Sequence, residues 1–302
     1  MKIGFIGFGE AAYYISIGLR EEETACGICA YDTMMNHGEM GPFVRSRAKE
    51  ANVELLDAPK EVVSQGDVII AAVPPNYTLD ACKSVADYLK PGQIYADVSA
   101  STPNTKKKIW DILEHKGILF ADAAMLGSLP LDKHKVPISV SGSGAQAFFE
   151  ALSPMGMQIT VINERAGDAS AIKLIRSIFM KGIAALMVET TQAGMHYGVA
   201  EQVVASIGKS LDGIPFEEHF TFQIVGSAIH AKRRGSEVAG SVEMCGEAGV
   251  PHDLSDGTVL CFKRLSEYNL GVKYSANRPK NWREVISDIN SIKARTENLV
   301  KI

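Results

Sequence analysis

The sequence predicts an α/β protein with an N-terminal Rossmann domain, which is a doubly wound sheet, and a C-terminal all-α domain. A glycine-rich turn follows the first apolar segment, and short apolar segments then alternate with helical ones as far as about residue 163. Beyond that point only helical segments follow. Such alternation is typical of a mostly parallel sheet covered by helices. At about 150 residues per domain, we expect a dinucleotide-binding domain over residues 1–163 and a substrate and dimerisation domain over 164–302.

The composition excludes several classes of protein. Hydrophobic residues make up 46% of the 302 residues and charged residues 22%, values that are ordinary for a globular protein. The formal charge of −4 provides no excess of basic residues to neutralise phosphates, so we expect no nucleic-acid partner. The sequence has neither a signal peptide nor an apolar run long enough for a membrane span, which predicts a cytoplasmic protein without a membrane partner.

The cysteines and histidines do not predict a metal site. Cys26 and Cys29 form a C-x-x-C pair, but no second pair follows at zinc-ligand spacing and the pair lies within a predicted strand. We interpret the five scattered cysteines as reduced thiols of a cytosolic protein. The seven histidines also lack metal-ligand spacing, and no Ser-His-Asp or Cys-His arrangement stands out.

The elements of the first half follow from apolar patterns and turn residues. Residues 67–73 (DVIIAAV) form a continuous apolar run, which is typical of a strand covered on both faces. Thr102 and Pro103 predict a helix start, as an N-cap followed by a first-turn proline. The remaining predicted strands cover residues 2–6, 27–31, 53–55, 93–97, 118–121, 136–140 and 158–162, and the helices cover 10–22, 42–51, 79–89, 102–115 and 145–152.

The second half is predicted to be helical throughout. Residues 168–195 form one long, largely apolar stretch, which predicts a helix that joins the two lobes and is buried over most of its girth. Because several helices would carry apolar faces that one Rossmann lobe cannot cover, we expect a homodimer. The further predicted helices cover residues 200–211, 215–232, 236–248, 253–268 and 282–299.

A G-x-G-x-x-A turn between the first strand and the first helix predicts a dinucleotide site. Gly7 permits the tight turn, Gly9 lets the backbone approach the pyrophosphate, and Ala12 permits close packing of helix on strand. The N–H groups and dipole of the helix N-terminus then favour the anionic pyrophosphate. The residues that the motif places at the cofactor are Gly7, Phe8, Gly9, Glu10, Ala11 and Ala12.

Asp32 predicts which dinucleotide binds. It ends the second strand about 20 residues beyond the turn, where a carboxylate accepts hydrogen bonds from the adenine ribose. A carboxylate repels a 2′-phosphate, so NAD is favoured, although Arg45 or Arg47 could fold back and admit NADP.

Two further loops follow strands at the same predicted edge of the sheet, where ligands of such folds bind. Val73, Pro74 and Pro75 form a rigid, extended segment for the nicotinamide end, and Ser99 offers a hydroxyl to the carboxamide or the substrate.

Five features occur in one order: GFIGFGEAA, AAVPP, DVSASTP, FADAAMLGS and a long helix carrying a lysine. As a set they resemble the β-hydroxyacid dehydrogenase family, which includes 3-hydroxyisobutyrate and 6-phosphogluconate dehydrogenases and the imine reductases. The resemblance runs from Met1 to about Met195. The second half is similar to a poorly characterised, phosphogluconate-dehydrogenase-like branch.

The resemblance implies that Lys173, on the long helix, exchanges a proton with the substrate oxygen while hydride moves to or from the nicotinamide. An amine in apolar surroundings titrates closer to neutrality, which suits this role. The family usually has an asparagine four residues later, where this chain has Ser177.

The predicted substrate site departs from the family pattern. The family loop is close to D-A-P-V-S-G-G, whereas this chain has DAAMLGS, in which Leu126 replaces the carboxylate-binding serine. We therefore expect a substrate that is not a simple small 3-hydroxy acid held in the usual way. Arg176 suits an anionic group, and His230 could approach the cleft from the helical domain or a partner subunit. The substrate-binding candidates are Met125, Gly127, Ser128, Arg176, Lys181 and His230.

These features predict an NAD(P)-dependent dehydrogenase or reductase whose small-molecule substrate is a hydroxy acid or a related alcohol or carbonyl compound, with the cofactor performing the hydride chemistry. Two alternatives stay open: reduction of a C=N bond, as in imine reductases, and a cofactor-binding sensor without catalysis.

Overall fold

A computed structural model describes residues 1–22 and 26–300, with side chains of the last helix described as far as residue 294. The strands are β1 (Lys2–Ile6), β2 (Gly27–Tyr31), β3 (Glu54–Leu55), β4 (Val68–Ala71), β5 (Ile94–Asp97), β6 (Leu119–Met125), β7 (Ile138–Ser141) and β8 (Ile159–Asn163). The helices of the first half are α1 (Glu10–Glu21), α2 (Gly41–Glu50), α3 (Pro59–Gln65), α4 (Thr78–Val85), α5 (Pro103–Glu114), α6 (Leu129–Asp132) and α7 (Ala145–Leu152). Those that follow are α8 (Asp168–His196), α9 (Ala200–Leu211), α10 (Phe216–Ile229), α11 (Ala231–Ala248), α12 (Asp253–Glu267), α13 (Leu270–Lys273) and α14 (Trp282–Val300).

The eight strands form one sheet in the order β3-β2-β1-β4-β5-β6-β7-β8, parallel except for the β6–β7 pair. The chain leaves β1 in one direction for β2 and β3, and then returns to β4 on the other side. This reversal opens a crevice at the carboxyl ends of the strands. The predicted doubly wound, mostly parallel sheet is therefore confirmed.

The sheet is covered on both faces, as its alternating side chains require. Within β5, Ile94 and Ala96 pack into one buried cluster, with side chains of α1, α2 and α7, whereas Tyr95 packs into the other, with side chains of α3, α4 and α5. All four residues of β4 are buried, as its continuous apolar run predicts. The cores of the sheet domain are thus built from its own helices.

The chain forms two compact units, Met1–Phe179 and Met180–Ile302, and the division falls within α8. The second unit is helical and has its own small core of Val225, Ala228, Leu270, Tyr274 and Val285. The predicted domain boundary, between residues 163 and 164, precedes this helix and stays a prediction. Among the described residues, no helix combines the length and apolarity that crossing a membrane requires.

Several elements differ from their prediction, including the short helices α6 and α13, which were not predicted. The helix α3 was not predicted, because its polar Pro59–Gln65 segment has too short a periodic pattern. The predicted helix over residues 215–232 ends instead at Ile229, and α11 begins directly after His230. Gly271 approaches the Ile229 carbonyl so closely that a Cβ would lie 2.6 Å from its oxygen, a tertiary contact that local sequence does not reveal.

The long helix α8 is not buried over most of its girth, and that prediction was wrong. Ile175 is 66% exposed and Ile178 is 76% exposed, and Met187 and Val188 are exposed in the same helix. Apolar periodicity shows that a face needs cover, but it does not show whether the same chain supplies that cover.

The two cysteines of the C-x-x-C pair, Cys26 and Cys29, are both buried, and so are Cys82 and Cys245. Burial raises the pKa of the Cys29 thiol to about 11 and that of Cys82 to about 12. Cys261, on α12, is exposed.

Candidate functional site

The glycine turn between β1 and α1 has the geometry that the motif predicts. Gly7 has φ +87°, and a Cβ there would lie 2.6 Å from the Ala72 oxygen and 2.7 Å from a methyl carbon of Val73. Its N–H donates to the Tyr31 carbonyl at 2.8 Å. Only glycine satisfies this positive φ and this close approach.

Gly9, by contrast, faces open space. It is the N-cap of α1, and a Cβ built on it would meet no described atom within 4 Å. No described side chain caps the helix here, so the first N–H groups of α1 are available to a ligand. A backbone anion site with room above its glycine fits the pyrophosphate of a dinucleotide. The residues present therefore fit NAD(P), with Gly7 to Ala12 as its cradle.

Asp32 lies beside this turn. Its carboxylate accepts hydrogen bonds from the backbone N–H of Phe8 and from that of Met34, each at 2.7 Å. The side chain therefore ties the end of β2 to the glycine turn, a structural contact that the sequence did not indicate. Asp32 lies where the sequence predicts it, at the end of β2.

The two arginines near this position have partners of their own. Arg45 donates to the Met35 carbonyl. The Arg47 guanidinium lies 4.1 Å from the ring centroid of Phe43 and 5.3 Å from that of Tyr13, which are cation–π contacts. These contacts direct neither guanidinium group towards Asp32.

The loops after β4 and β5 converge at the same edge of the sheet. The Val73 N–H donates to the hydroxyl of Ser99 at 3.2 Å, and Ser99 is buried. Val73 also lies against Gly7, so the first glycine, Val73 and Ser99 are neighbours. A short 3₁₀ turn starts at Pro75, and Pro74 before it is extended. The structure thus brings these predicted cofactor residues together.

The loop after β6, where substrate binding is predicted, is a compact turn. The Ser128 N–H donates to the Asp132 carboxylate at 2.9 Å. A Cβ on Gly127 would lie 2.5 Å from the same carboxylate, so a larger residue there would have to displace the Asp132 side chain. Met125 is buried at the end of β6. This packing fixes the loop backbone beside the sheet edge.

A buried charge cluster lies below this edge, and no sequence pattern indicates it. Asp97 and Asp122 are paired in register on β5 and β6, and both are fully buried. The Lys106 ammonium, from the first turn of α5, lies 2.9 Å from the Asp97 carboxylate and 3.4 Å from that of Asp122. Lys106 is also completely buried, although it stands in a Lys-Lys-Lys run that resembles a solvated helix face.

The first half of α8 carries the predicted catalytic residues. Lys173 and Ser177 are half-buried, whereas Arg176 between them is exposed. Residues four apart on a helix share a face, so Lys173 and Ser177 lie together, and Arg176 is the more exposed neighbour of Lys173. Lys181 and His230 are exposed residues of the second unit, and their approach to a substrate stays a prediction.

Among residues 1–22 and 26–300, no group of three His, Cys, Asp or Glu side chains has an arrangement that could hold a metal ion. The candidate site residues described above are the glycine turn, Asp32 at the end of β2 and the half-buried Lys173 on α8.

The sheet, its glycine turn and the helical unit define a Rossmann-type dinucleotide-binding protein. Residues 2–163 match the model of the NAD binding domain of 6-phosphogluconate dehydrogenase, and residues 195–265 match a domain of unknown function, DUF1932. The chain therefore belongs to the 6-phosphogluconate dehydrogenase-like family of NAD(P)-dependent oxidoreductases, the β-hydroxyacid dehydrogenases that its motifs resemble.

Two relatives extend over most of the chain. An uncharacterised 28.5 kDa protein of Methanothermus fervidus is 28% identical over 268 residues, which are 89% of this chain and 98% of that protein. The 2-(hydroxymethyl)glutarate dehydrogenase of Eubacterium barkeri is 23% identical over 226 residues, covering 70% of this chain and 69% of the enzyme.

Solved structures share the fold. A conserved protein of unknown function, described as structurally similar to 3-hydroxyacid dehydrogenases, is 29% identical over 90% of this chain and 99% of its own, with a TM-score of 0.59. An imine reductase from Myxococcus stipitatus in complex with NADP+ has a TM-score of 0.69 at 14% identity, covering 90% and 96% of the two chains. A variant of the same enzyme was solved with NAD+.

Proposed function

We propose that this protein is an NAD-dependent dehydrogenase that transfers hydride between the nicotinamide and a small, anionic hydroxy acid or related alcohol. The bound nicotinamide supplies or accepts the hydride. In the oxidative direction the Lys173 amine accepts the hydroxyl proton of the substrate, and in the reductive direction its ammonium returns a proton to the carbonyl oxygen. Ser177, on the same face, is placed to bind the substrate beside it. The observation that carries this proposal is the half-buried pair on α8, in the same compact unit as the glycine cradle.

The test is a panel of hydroxy acids offered with NAD+ and followed by NADH absorbance. We expect turnover of a carboxylate-bearing member by wild type, and its loss by a factor of at least about 100 in Lys173→Met. A Lys83→Met variant, which changes an exposed lysine of α4, serves as the control. Full activity in Lys173→Met would remove the lysine from the mechanism.

We further propose that NAD is preferred over NADP and that the cofactor lies along Gly7–Ala12, Asp32, Val73–Pro75 and Ser99. The Asp32 carboxylate repels a 2′-phosphate, while Arg45 and Arg47 are held by other groups. Fluorescence titration should show NADH binding more tightly than NADPH. Asp32→Asn, which removes the charge and retains one of the two acceptor oxygens, should narrow the difference between the two affinities. Tighter NADPH binding by wild type would reverse the assignment.

Reduction of imines is the second candidate, since Ser177 stands where the dehydrogenases of the family have asparagine and the fold is shared with imine reductases. Turnover of cyclic imines with NADH, and none of hydroxy acids, would select it. The sensor hypothesis requires tight NADH binding without hydride transfer to any member of either panel.

We infer a homodimer as the working form, because Ile175, Ile178 and Met187 expose large apolar side chains on one helix. A second copy of this chain is the proposed cover. We also place the protein in the cytoplasm, since a reducing compartment suits its scattered cysteines.

A further inference from the structure

The buried cluster at β5 and β6 poses an electrostatic problem that the fold solves with one lysine. Asp97 and Asp122 are directly paired on neighbouring strands, so their carboxylates would repel each other. Lys106 lies between them, and its ammonium also donates to the Asp97 carbonyl at 2.8 Å. A second contact fixes Asp97, because its carboxylate accepts from the Ser99 N–H at 2.9 Å. The three charged groups therefore form a rigid, water-excluded unit.

The carboxylate of Asp122 also accepts hydrogen bonds from residues at the start of α8. Its carboxylate accepts from the Gly167 N–H at 3.1 Å, from the Ser170 N–H at 3.0 Å and from the Ser170 hydroxyl at 2.6 Å. The Ser141 hydroxyl of β7 lies 3.4 Å from it and accepts from the Ala169 N–H at 2.9 Å. The first N–H groups of a helix have no partner within the helix, and a carboxylate there is doubly favourable.

We propose that Asp122 and Ser170 are positioning residues for Lys173, with Lys106 holding Asp122 in place; the proposal rests on the proposed role of Lys173. Ser170 precedes Lys173 by three residues, which places the two on one helix face about 4.5 Å apart along the axis. The short hydrogen bond from the Ser170 hydroxyl to Asp122 therefore sets both the position of α8 along its axis and the rotation of the face that carries Lys173 and Ser177.

The burial pattern along α8 agrees with this placement. Ser170 is buried, and the residues that follow it on the same face are half-buried. Ile172 and Ile175, which lie on the opposite side of the helix from Ser170, are exposed. One face of this helix is thus turned towards β6 and the others are turned away. The anchoring residue and the proposed acid/base share the inward face.

The expected effect is on the chemical step rather than on cofactor binding. A displacement of about 1 Å in a catalytic group costs as much as a hundredfold in rate. Ser170→Ala removes the hydroxyl bond without a change in charge, and Asp122→Asn keeps one of the two acceptor oxygens but removes the charge. Ser170→Thr restores a hydroxyl at the same position. Ser16→Ala is the matched control, because Ser16 is also fully buried and hydrogen-bonded but lies on α1.

The first readout needs no substrate. The full-length, NADH-saturated protein is acetylated with limiting acetic anhydride over a range of pH, and the labelling of Lys173 is followed by peptide mass spectrometry. We expect its titration midpoint to move by at least about half a pH unit in Ser170→Ala and Asp122→Asn, to return in Ser170→Thr, and to stay unchanged in Ser16→Ala. An unchanged midpoint in Ser170→Ala, with only a lower melting temperature, would show that the cluster is a structural anchor and would overturn the proposal.

The second readout uses the substrate that the panel identifies. In Ser170→Ala we expect kcat to fall by about tenfold to a hundredfold, with the NADH dissociation constant unchanged. An unchanged kcat would also overturn the proposal. Failure of the proposed function gives a different result: Lys173→Met would retain full activity whatever the labelling shows. If Asp122→Asn does not fold, Ser170→Ala and Ser170→Thr still decide the outcome.

Discussion

The two compact units satisfy their buried and apolar groups in opposite ways. In the first, each face of the sheet is covered by helices of the same chain, and even the carboxylates of β5 and β6 have a buried cation between them. In the second, five residues form the small core, while Val204, Phe222 and Leu260 are more than half exposed. The difference teaches that the sheet of the first unit is covered within one chain, whereas the helical unit leaves several large apolar side chains exposed.

Removing the buried cation should break the sheet unit, and this is the largest effect that we expect. Lys106→Met leaves two neighbouring buried carboxylates without a counter-ion, and breaking a buried ion pair costs about 3–5 kcal/mol. Urea unfolding followed by circular dichroism measures the loss. Lys108→Met, two residues along α5 and exposed, should cost at most about 0.5 kcal/mol. An equal loss of unfolding free energy in the two variants would contradict the role of Lys106 as a buried counter-ion.

The two glycines of the turn should separate folding from binding. Gly7→Ala forces a Cβ into backbone and strains a positive φ, which costs about 1–3 kcal/mol and also disturbs the cradle. Gly9→Ala adds its Cβ to open space, so stability should be retained while NADH binding weakens by at least about tenfold. Thermal unfolding and NADH fluorescence titration measure the two quantities. Normal NADH affinity in Gly9→Ala would show that the pyrophosphate does not lie there.

A charge among the exposed apolar residues of α8 should test the proposed dimer. Ile178 is 76% exposed, and Ile178→Glu would place a carboxylate in the proposed dimer interface. We expect light scattering after size-exclusion chromatography to show a dimer for wild type and a monomer for the variant. Leu131→Glu changes a side chain that is 83% exposed on α6 and should leave the mass unchanged. A monomeric wild type would refute the dimer.

A smaller, pH-dependent effect on the stability of the sheet unit is expected from His134. The ring is buried, neither ring nitrogen has a partner in the part of the chain that the structure describes, and burial lowers its pKa below the ordinary 6.5. The unfolded chain therefore binds a proton more readily, so this contribution to stability is complete above pH 6.5 and is lost as the pH falls below it.

The comparison of wild type with His134→Gln isolates this effect. Melting temperatures measured between pH 7.5 and 5.0 should fall more steeply in wild type than in the variant. Glu21 and Glu22 at the end of α1, together with Lys133 and Lys135, are the charged groups that act on the ring, and they are present in both proteins, so their titration cancels. Parallel curves would show that His134 does not titrate on unfolding.

The residues that could be predicted are those whose role is local. Gly7, Gly9 and Asp32 belong to one turn and the strand beside it, so spacing alone predicts their positions. Lys106 could not be predicted, because only the register of β5 with β6 makes a cation necessary there. The exposure of α8 was missed for the same reason, since the cover of an apolar face is a property of assembly.

The candidate site shows the same limit of prediction from sequence. Lys173 and Ser177 followed from a resemblance and from helical spacing, and the structure leaves their roles as predictions. Asp122 is part of a motif that the sequence indicated for substrate binding, yet its contacts are to the start of α8. A carboxylate at the end of a strand can serve a ligand or a helix, and its partner lies more than 40 residues away in the chain.

The burial of four of the five cysteines gives the native chain a property useful for spectroscopy. Maleimides react with thiolates that they can reach, and the raised pKa values of Cys29 and Cys82, about 11 and about 12, leave both thiols protonated at neutral pH. Cys26 and Cys245 are screened by burial, whereas Cys261 is on the surface of α12. A single fluorophore can therefore be attached to the helical unit of the wild-type protein, and its emission followed while cofactor is added.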